Sequence, residues 1–367
     1  MRIIRPESTH GLINRVTGSD FAYQAWPTVA QDENGTLYAV ASGFRVRHVC
    51  PFGKTVMYIS RNGGKTWTPP IVINDSYLDD RDAGIVYLGD GKLLISWFTR
   101  AATSYMSEKH QALMALATPA GKCLMRGGMD AYQYMTPEQK VIGSYVRLSE
   151  DYGVTWGEPV RLPVTAPHGP TLCRDGSLIY LGTEHGRPEN AVGKPQIQLH
   201  RSRDGGMTWE KESVVPVPGW LEGEEFMCEP HVIELPDGRL LGGVRIEKRV
   251  PYTIATTVSE DGGKTWSEPV CTDVSGAPPH FMLHSSGALV CTFGRREEPY
   301  GNRAMVSYDL GKTWEAEYIL TESESRDLGY GSTLELPDGQ LLSVYYQRHP
   351  GDNYTSLFYT KWKLERN

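Results

Sequence analysis

The sequence is short of the features that place proteins in membranes, around metals or in oxidising compartments. It contains no apolar run near the ~20 residues needed to cross a bilayer, and the segment from Met1 to Asp20 has no hydrophobic signal-peptide core. Its six cysteines are scattered, with neither a CxxC pair nor a metal-ligand spacing. We therefore expect a soluble cytoplasmic protein with reduced thiols, no metal and no membrane contact.

Positive charge is also in deficit. Lys and Arg number 37 against 44 Asp and Glu, so the net charge is −7 and nucleic acid is not an expected partner. Hydrophobic residues make up 40% of the 367 residues, which excludes a disordered chain. Long helical periodicity is absent, whereas 39 glycines, 24 prolines and 20 tyrosines predict many short strands joined by turns.

An octapeptide of the pattern S-x-[DN]-x-G-x-T-W recurs five times in the chain. Its copies occupy residues 60–67, 149–156, 202–209, 259–266 and 307–314. The Ser and Asp side chains of this pattern can bond backbone N–H groups within a turn, and the glycine allows positive φ. We interpret these segments as structural turns that take no part in chemistry.

A second repeat consists of an apolar stretch, a turn of the Asp-Gly type and another apolar stretch. It occurs six times, with turn glycines Gly35, Gly91, Gly176, Gly238, Gly287 and Gly339. Such turns between apolar runs are the strongest short-range signal for a hairpin. Interleaved with the octapeptides, they give four strands in each unit of about fifty residues. The sequence therefore predicts an all-β fold, a single six-bladed β-propeller over residues 1–367.

Two units depart from this rhythm. The sixth lacks the octapeptide, so we expect the N-terminal segment to complete its sheet and close the ring. In blade two, 58 residues separate Gly91 from Ser149, against 20 to 26 in the other units. The excess, residues 101–143, is a partly helical insertion with a predicted helix over 108–117. An insertion of this size is typical of a lid or of a contact that builds a homo-oligomer.

The repeat register predicts where a functional site lies. Inner strands line the central funnel of a propeller, so residues nine positions before each turn glycine should reach the same rim. These residues are Trp26, Asp82, Pro167, Glu229, Pro278 and Tyr330, with His168 one step further on. Ionisable groups at such positions are not needed for packing. Asp82, Glu229 and Tyr330 are therefore site candidates by position alone.

Basic residues follow each hairpin turn by seven to ten residues. They are Arg45, Arg100, His185, Arg245, Arg295 with Arg296, and Arg348. Arginines that converge on a funnel favour an anionic ligand, most simply a carboxylate. The alternative for any single arginine is an ion pair between neighbouring blades.

At this point the motifs resemble those of a known family. The octapeptides resemble the Asp boxes of the sialidase (neuraminidase) superfamily. The stretch from Cys228 through Glu229 to Arg245 resembles the sialidase segment in which a glutamate precedes a carboxylate-binding arginine by sixteen residues. Tyr330, in Gly-Tyr-Gly-Ser, resembles the nucleophilic tyrosine. Arg303, in Asn-Arg-Ala, resembles a second binding arginine, with Arg295 or Arg296 as its alternative.

The resemblance implies an exo-glycosidase that hydrolyses a small terminal acidic sugar or oligosaccharide without a cofactor. Tyr330 would be the nucleophile, Glu229 its base, and Arg245 with Arg303 a clamp for the sugar carboxylate. A neutral tyrosine suits this role because a carboxylate nucleophile would meet like charge at the anomeric carbon.

Two departures keep other functions open. Sialidases carry an arginine in an Arg-Ile-Pro motif of the first blade, but this chain has Trp26-Pro27, so Arg45, Arg47 or Arg81 would have to replace it. The loop 43–54 contains no Asp or Glu, so the acid/base role falls to His48 or Asp82. The alternatives are a glycosidase or lyase for another acidic sugar, such as a uronate, and a non-catalytic carbohydrate-binding propeller.

The histidines and the aromatic residues near the predicted rim each allow two interpretations. His48, His168, His231 and His280 show no HxH or HxxxH spacing, so we expect hydrogen bonds to sugar hydroxyls or to the backbone in preference to metal ligation. Trp26 either stacks on a sugar face or packs at the rim, as do Phe44 and Phe226.

Overall fold

Six sheets follow one another along the chain and surround a central axis. The computed structural model describes residues 1–186 and 193–365. The innermost strands of successive sheets contact one another in a closed ring in which the last contacts the first. The six-bladed β-propeller predicted from the two repeats is confirmed.

In the first three blades, neighbouring strands follow one another from the central axis outward. Two N-terminal strands precede them, β1 (Arg2–Ile4) and β2 (Ser8–Asn14). Blade one contains β3 (Tyr23–Gln31), β4 (Leu37–Arg45), β5 (Lys54–Ser60) and β6 (Ile71–Asn74). Blade two contains β7 (Asp79–Gly89), β8 (Lys92–Arg100), β9 (Ser144–Ser149) and β10 (Val160–Leu162). Blade three contains β11 (Val164–Thr165), β12 (Thr171–Leu172), β13 (Leu178–Glu184), β14 (Ile197–Ser202) and β15 (Glu210–Val214).

The last three blades repeat this plan, and the N-terminal strands complete two of them. Blade four contains β16 (Phe226–Glu234), β17 (Leu240–Glu247), β18 (Thr253–Ser259) and β19 (Val270–Ser275). Blade five contains β20 (Ala277–Leu283), β21 (Leu289–Arg295), β22 (Gly301–Ser307) and β23 (Ala316–Ile319). Blade six contains β24 (Gly329–Glu335), β25 (Leu341–Arg348) and β26 (Thr355–Trp362). Strand β2 pairs antiparallel with β26, and β1 adds in parallel to β23, so the N-terminal segment closes the ring as expected.

The octapeptides form tight turns held by their own side chains. In the fourth copy, Ser259 Oγ accepts a hydrogen bond from the Gly263 N–H at 2.8 Å and donates to Asp261 Oδ1 at 2.8 Å. Asp261 Oδ1 also accepts from the Thr265 N–H at 2.9 Å. These bonds satisfy backbone N–H groups of the turn that make no hydrogen bond to a neighbouring strand. The role of the octapeptide is therefore structural.

The insertion between β8 and β9 is helical along most of its length. It contains 3₁₀ turns at Ala102–Tyr105 and Glu138–Lys140, and helices α1 (Glu108–Met114) and α2 (Pro119–Tyr134). The predicted helix 108–117 corresponds to α1, which ends three residues earlier, whereas α2 was not predicted. No helix among the described residues is long and apolar enough to span a membrane.

Helix α2 lacks the sequence pattern of a typical helix, because its close packing requires glycines within it. A Cβ at Gly121 would lie 2.8 Å from Val46, and one at Gly128 would lie 2.6 Å from Phe52. Met125 joins Val46 and neighbouring residues in one buried cluster. The insertion therefore packs on the loop of blade one. A contact between copies of the chain through the insertion stays a prediction.

The turn bonds lead to a stability prediction. Ser259 is fully buried, so Ser259→Ala leaves the Gly263 N–H without its acceptor. We expect a loss of about 1–2 kcal/mol in the free energy of unfolding, measured by urea denaturation. Ser104→Ala, at an exposed serine, should change it by less than about 0.5 kcal/mol. Equal effects of the two variants would refute the structural role of the turn.

Candidate active site

Four inner strands carry the same backbone irregularity at the predicted rim position. Trp26, Asp82, Glu229 and Tyr330 have φ values of 56°, 50°, 47° and 53°, in the left-handed region that non-glycine residues rarely adopt. Each lies in a register shift between its strand and the next strand of the blade. These shifts are β-bulges, which re-aim a side chain. The nine-residue spacing therefore marks a repeated bulge.

Proline accompanies several of these bulges. Pro27 and Pro230 directly follow the left-handed residues of blades one and four, and Pro278 and Pro279 lie within the register shift of blade five. Proline has no N–H for the ladder and is confined to edges and bulges of sheets. In blades one, four and five, a proline within the inner-strand pattern was thus a sequence signal for the irregularity.

The bulges of blades two, four and six open onto a cavity of about 560 Å³ at one end of the central channel. Asp82, Glu229 and Tyr330 line it, from blades two, four and six, together with His48. The arginines that reach it are Arg81, Arg100, Arg245 and Arg296. The structure therefore brings together the three ionisable groups that the register singled out.

Tyr330 and Glu229 form a direct pair. The Tyr330 hydroxyl donates to Glu229 Oε1 at 2.5 Å, and Arg245 Nη1 donates to Glu229 Oε2 at 2.8 Å. Burial acts to raise the pKa of Glu229, but the Arg245 charge and the Tyr330 hydrogen bond outweigh it and lower that pKa. Burial and the Glu229 charge raise the pKa of Tyr330 well above its usual value. The resting pair is thus a neutral phenol bonded to an ionised carboxylate.

Asp82 has the opposite environment from Glu229. Burial, reinforced by the charge of Glu229, raises the pKa of Asp82 to about 7 although the charge of Arg81 opposes the shift. Its Oδ1 is buried without a hydrogen-bond partner, and Arg81 Nε lies 4.0 Å away. Asp82 can therefore both donate and accept a proton near neutral pH.

His48 lies at the cavity edge in a fixed network. Its Nδ1 lies 2.8 Å from the Tyr23 hydroxyl and 3.4 Å from Asp327 Oδ1. Burial lowers the pKa of His48 despite Asp327. Between the two acid/base candidates, Asp82 shares the bulge ring with Tyr330 and has the pKa closer to neutrality, so the geometry favours Asp82.

Three arginines approach the Tyr330–Glu229 pair from three blades. Arg245 pairs with Glu229 and also with Glu247, at 2.6 Å. Arg296 donates to the Leu328 carbonyl at 2.8 Å, and its guanidinium lies 5.4 Å from the Tyr330 ring centre. Arg81 comes from blade two. Convergent guanidinium groups of this kind bind carboxylates well.

Arg81 is held by a buried network that sequence reasoning missed. Asp79 is fully buried and accepts from Arg45 Nη2 at 3.0 Å and from Arg81 Nη1 at 3.3 Å. The hydroxyl of Tyr105, which belongs to the insertion, donates to the same carboxylate. Burial acts to raise the pKa of Asp79, but the two arginine charges lower it. The sequence signal for this network was the charged run 79–82, at the start of an inner strand that is otherwise mostly apolar.

Three predicted binding arginines require correction. Arg303 lies on the third strand of blade five with 1% of its surface exposed, and its Nη1 donates to the Thr321 carbonyl at 2.5 Å. It does not line the cavity, so the clamp predicted from the Asn-Arg-Ala motif does not fit, whereas the alternative, Arg296, does line the cavity. Arg45 is fully buried against Asp79, and Arg47 bonds the carbonyls of Leu116 and Asn353.

Trp26 and His168 also differ from the expected sugar contacts. Trp26 is 1% exposed, and its ring lies under the guanidinium groups of Arg81 and Arg45, at 4.0 and 4.8 Å. His168 is 3% exposed and packs with His280 at 4.9 Å between ring centres. Neither side chain lines the cavity. Among the described residues, no cluster of His, Cys, Asp or Glu is arranged to hold a metal.

Comparison with known proteins places these features in a family context. The sequence model of the BNR repeat-like domain matches residues 131–344, and that of the BNR/Asp-box repeat matches residues 58–69. A sialidase of Bacteroides fragilis (strain YCH46) is 23% identical over 225 residues, which are 54% of this chain and 38% of that protein. This chain thus aligns with less than half the length of that curated relative.

Solved structures share the fold over nearly the whole chain. A protein of unknown function from Dyadobacter fermentans DSM 18053 has a TM-score of 0.77 and 22% identity, covering 98% of this chain and 99% of that one. The NanB sialidase of Streptococcus pneumoniae has a TM-score of 0.66 and 16% identity, covering 96% and 70%. The predicted Asp-box propeller resembling the sialidase superfamily is confirmed.

The environment of Asp82 predicts an unusual pH dependence of stability. Its pKa of about 7 in the folded protein exceeds that of an unfolded aspartate, about 4, so the folded state binds the extra proton between these values. Stability contributed by this group is therefore present below about pH 4 and is lost as the pH rises towards 7. Asp82→Asn removes the titration and should stabilise the protein by about 2 kcal/mol more at pH 8 than at pH 5.

Urea denaturation of both proteins at the two pH values measures this difference. Asp130→Asn, at an exposed aspartate, serves as the control and should follow wild type. Parallel pH profiles of Asp82→Asn and wild type would show that Asp82 titrates normally.

Proposed function

Because the chain belongs to the BNR repeat-like domain family, we propose that it is a glycoside hydrolase that releases a terminal acidic sugar such as sialic acid. The relation to a sialidase of Bacteroides fragilis supports a glycosidase. The observation that carries the proposal is the hydrogen bond from the buried Tyr330 hydroxyl to the ionised Glu229.

The pair supports catalysis in two steps. Tyr330 Oη attacks the anomeric carbon while Glu229 takes its proton, which overcomes the poor nucleophilicity of a neutral phenol. Asp82 gives its proton to the oxygen of the leaving group as the glycosidic bond breaks. Water, deprotonated by Asp82, then attacks the same carbon, and the tyrosine recovers its proton from Glu229. Two displacements retain the anomeric configuration.

The arginines supply recognition of the substrate. A sialic acid carries its carboxylate on the anomeric carbon, so the clamp has to lie beside the nucleophile. Arg245 and Arg296 flank Tyr330 from blades four and five. Arg81, fixed by Asp79 and by the Trp26 ring, provides the third guanidinium from blade two. Arg81 thus stands in for the first-blade arginine that the sequence lacks.

One observation favours a second candidate. Trp26 occupies the bulge of blade one without reaching the cavity, and the third arginine approaches from a neighbouring blade. A clamp rearranged in this way suits an acidic sugar whose carboxylate lies elsewhere on the ring, such as a uronate. The reaction is then hydrolysis or elimination on the same propeller.

Hydrolysis of 4-methylumbelliferyl N-acetylneuraminate tests the proposal. Wild type should release the fluorophore, and Tyr330→Phe should lower kcat roughly a thousandfold or more because the nucleophile is gone. Glu229→Gln should lower it by roughly 10²–10⁴-fold because the proton acceptor is gone. Tyr345→Phe, at the neighbouring buried tyrosine that bonds Thr360 away from the cavity, should remain active.

Other outcomes separate the candidates. Full activity of Tyr330→Phe would refute the tyrosine mechanism. Absence of release by folded wild type, with turnover of a uronide, would select the second candidate, and ultraviolet absorbance of an unsaturated product would identify elimination. Binding of acidic sugars without any turnover would show a carbohydrate-binding module.

A further inference from the structure

One arginine at the cavity has neither a carboxylate nor a hydrogen-bond partner among the described residues. Arg100, the last residue of β8, is half-buried, and its guanidinium lies 5.7 Å from the ring centre of Tyr105. Within the described part of the chain, no carboxylate pairs with Arg100, whereas Arg245 and Arg81 are both paired. A half-buried charge without a counter-ion is costly, and an anionic ligand would relieve that cost.

The surroundings of Arg100 suit a sugar. Phe98 lines the cavity two residues earlier, and its ring meets that of His185 edge to face at 5.0 Å between centres. His185 Nε2 lies 3.3 Å from the Thr99 carbonyl oxygen, so Nε2 carries the proton and Nδ1 is left as an acceptor. An apolar ring face and a fixed imidazole acceptor are groups that contact a sugar ring and its hydroxyls.

This cluster lies on the leaving-group side of the reaction. Asp82 belongs to β7, whose neighbour β8 carries Phe98 and Arg100, and Phe98 pairs directly with Arg81 across the two strands. A general acid must lie within hydrogen-bond reach of the oxygen that it protonates. The leaving group of a substrate that Asp82 protonates therefore extends over the blade-two side of the cavity.

We propose that Arg100, Phe98 and His185 form a second subsite that binds a negatively charged leaving group. The preferred substrates are then oligosaccharides in which a second carboxylate-bearing sugar follows the terminal one. This inference rests on the proposed function, since it places the second sugar relative to Asp82.

The test compares two substrates that differ in the charge of the leaving group. A sialic acid dimer has an anionic leaving group, and sialyllactose has a neutral one. Wild type should show the higher kcat/KM on the dimer. Arg100→Gln should lower the ratio of the two kcat/KM values about tenfold, as expected for one lost charge-assisted contact.

Two further variants control the interpretation. Arg100→Lys keeps the charge and should retain most of the preference. Arg203→Gln, at an arginine that is 62% exposed on an octapeptide turn, should leave the ratio unchanged. An unchanged ratio in Arg100→Gln, with both substrates hydrolysed, would overturn the subsite.

The experiment also distinguishes an error in the proposed function from an error in the proposed subsite. If wild type hydrolyses neither substrate, the proposed reaction is wrong, and calorimetric titration with the sialic acid dimer then tests the subsite directly. Binding about tenfold weaker to Arg100→Gln than to wild type would support it. Equal binding, or none to wild type, would overturn it.

Discussion

The site depends on one backbone constraint, the β-bulge that turns a non-glycine residue of an inner strand to positive φ. Asp82, Glu229 and Tyr330 occupy this conformation in blades two, four and six, with φ between 47° and 53°. Such a residue costs on the order of 1–3 kcal/mol, so the packed propeller has to hold it there. In return, three reactive side chains from distant parts of the chain converge at one end of the channel. In a regular strand, these side chains would follow the alternation between the two faces of the sheet and would not be redirected towards the cavity.

Electrostatics then gives chemically similar groups different roles. Glu229 and Asp82 line the same cavity, yet Glu229 has Arg245 and the Tyr330 hydroxyl as partners, whereas Asp82 has a buried oxygen without a partner. The pKa of Glu229 is consequently lowered and that of Asp82 is raised to about 7. Two carboxyl groups whose pKa values are pushed apart provide one base and one acid at neutral pH.

Local sequence patterns predicted the fold because the side chains that stabilise each turn lie within the turn itself, as the Ser259 turn shows. Repeat register also predicted the positions of Asp82, Glu229 and Tyr330, since equivalent residues of each blade reach one rim. Arg303 was misplaced because a three-residue resemblance does not specify which strand of a blade it occupies, and the third strand lies away from the axis. The charged run 79–82 was a signal for the Asp79 network, but the contact of Asp79 with Tyr105 of the insertion could not be predicted, because it joins segments whose packing the sequence does not specify.

The most direct measurement of the central claim is to trap the covalent intermediate on the nucleophile. A 3-fluorosialyl fluoride should react with the protein and then hydrolyse slowly, since the ring fluorine destabilises the oxocarbenium-like transition state. Peptide mapping by mass spectrometry should place the sugar adduct on Tyr330, with less adduct in Glu229→Gln. An adduct on another residue, or turnover of sialosides with an unmodified Tyr330, would contradict the tyrosine–glutamate mechanism.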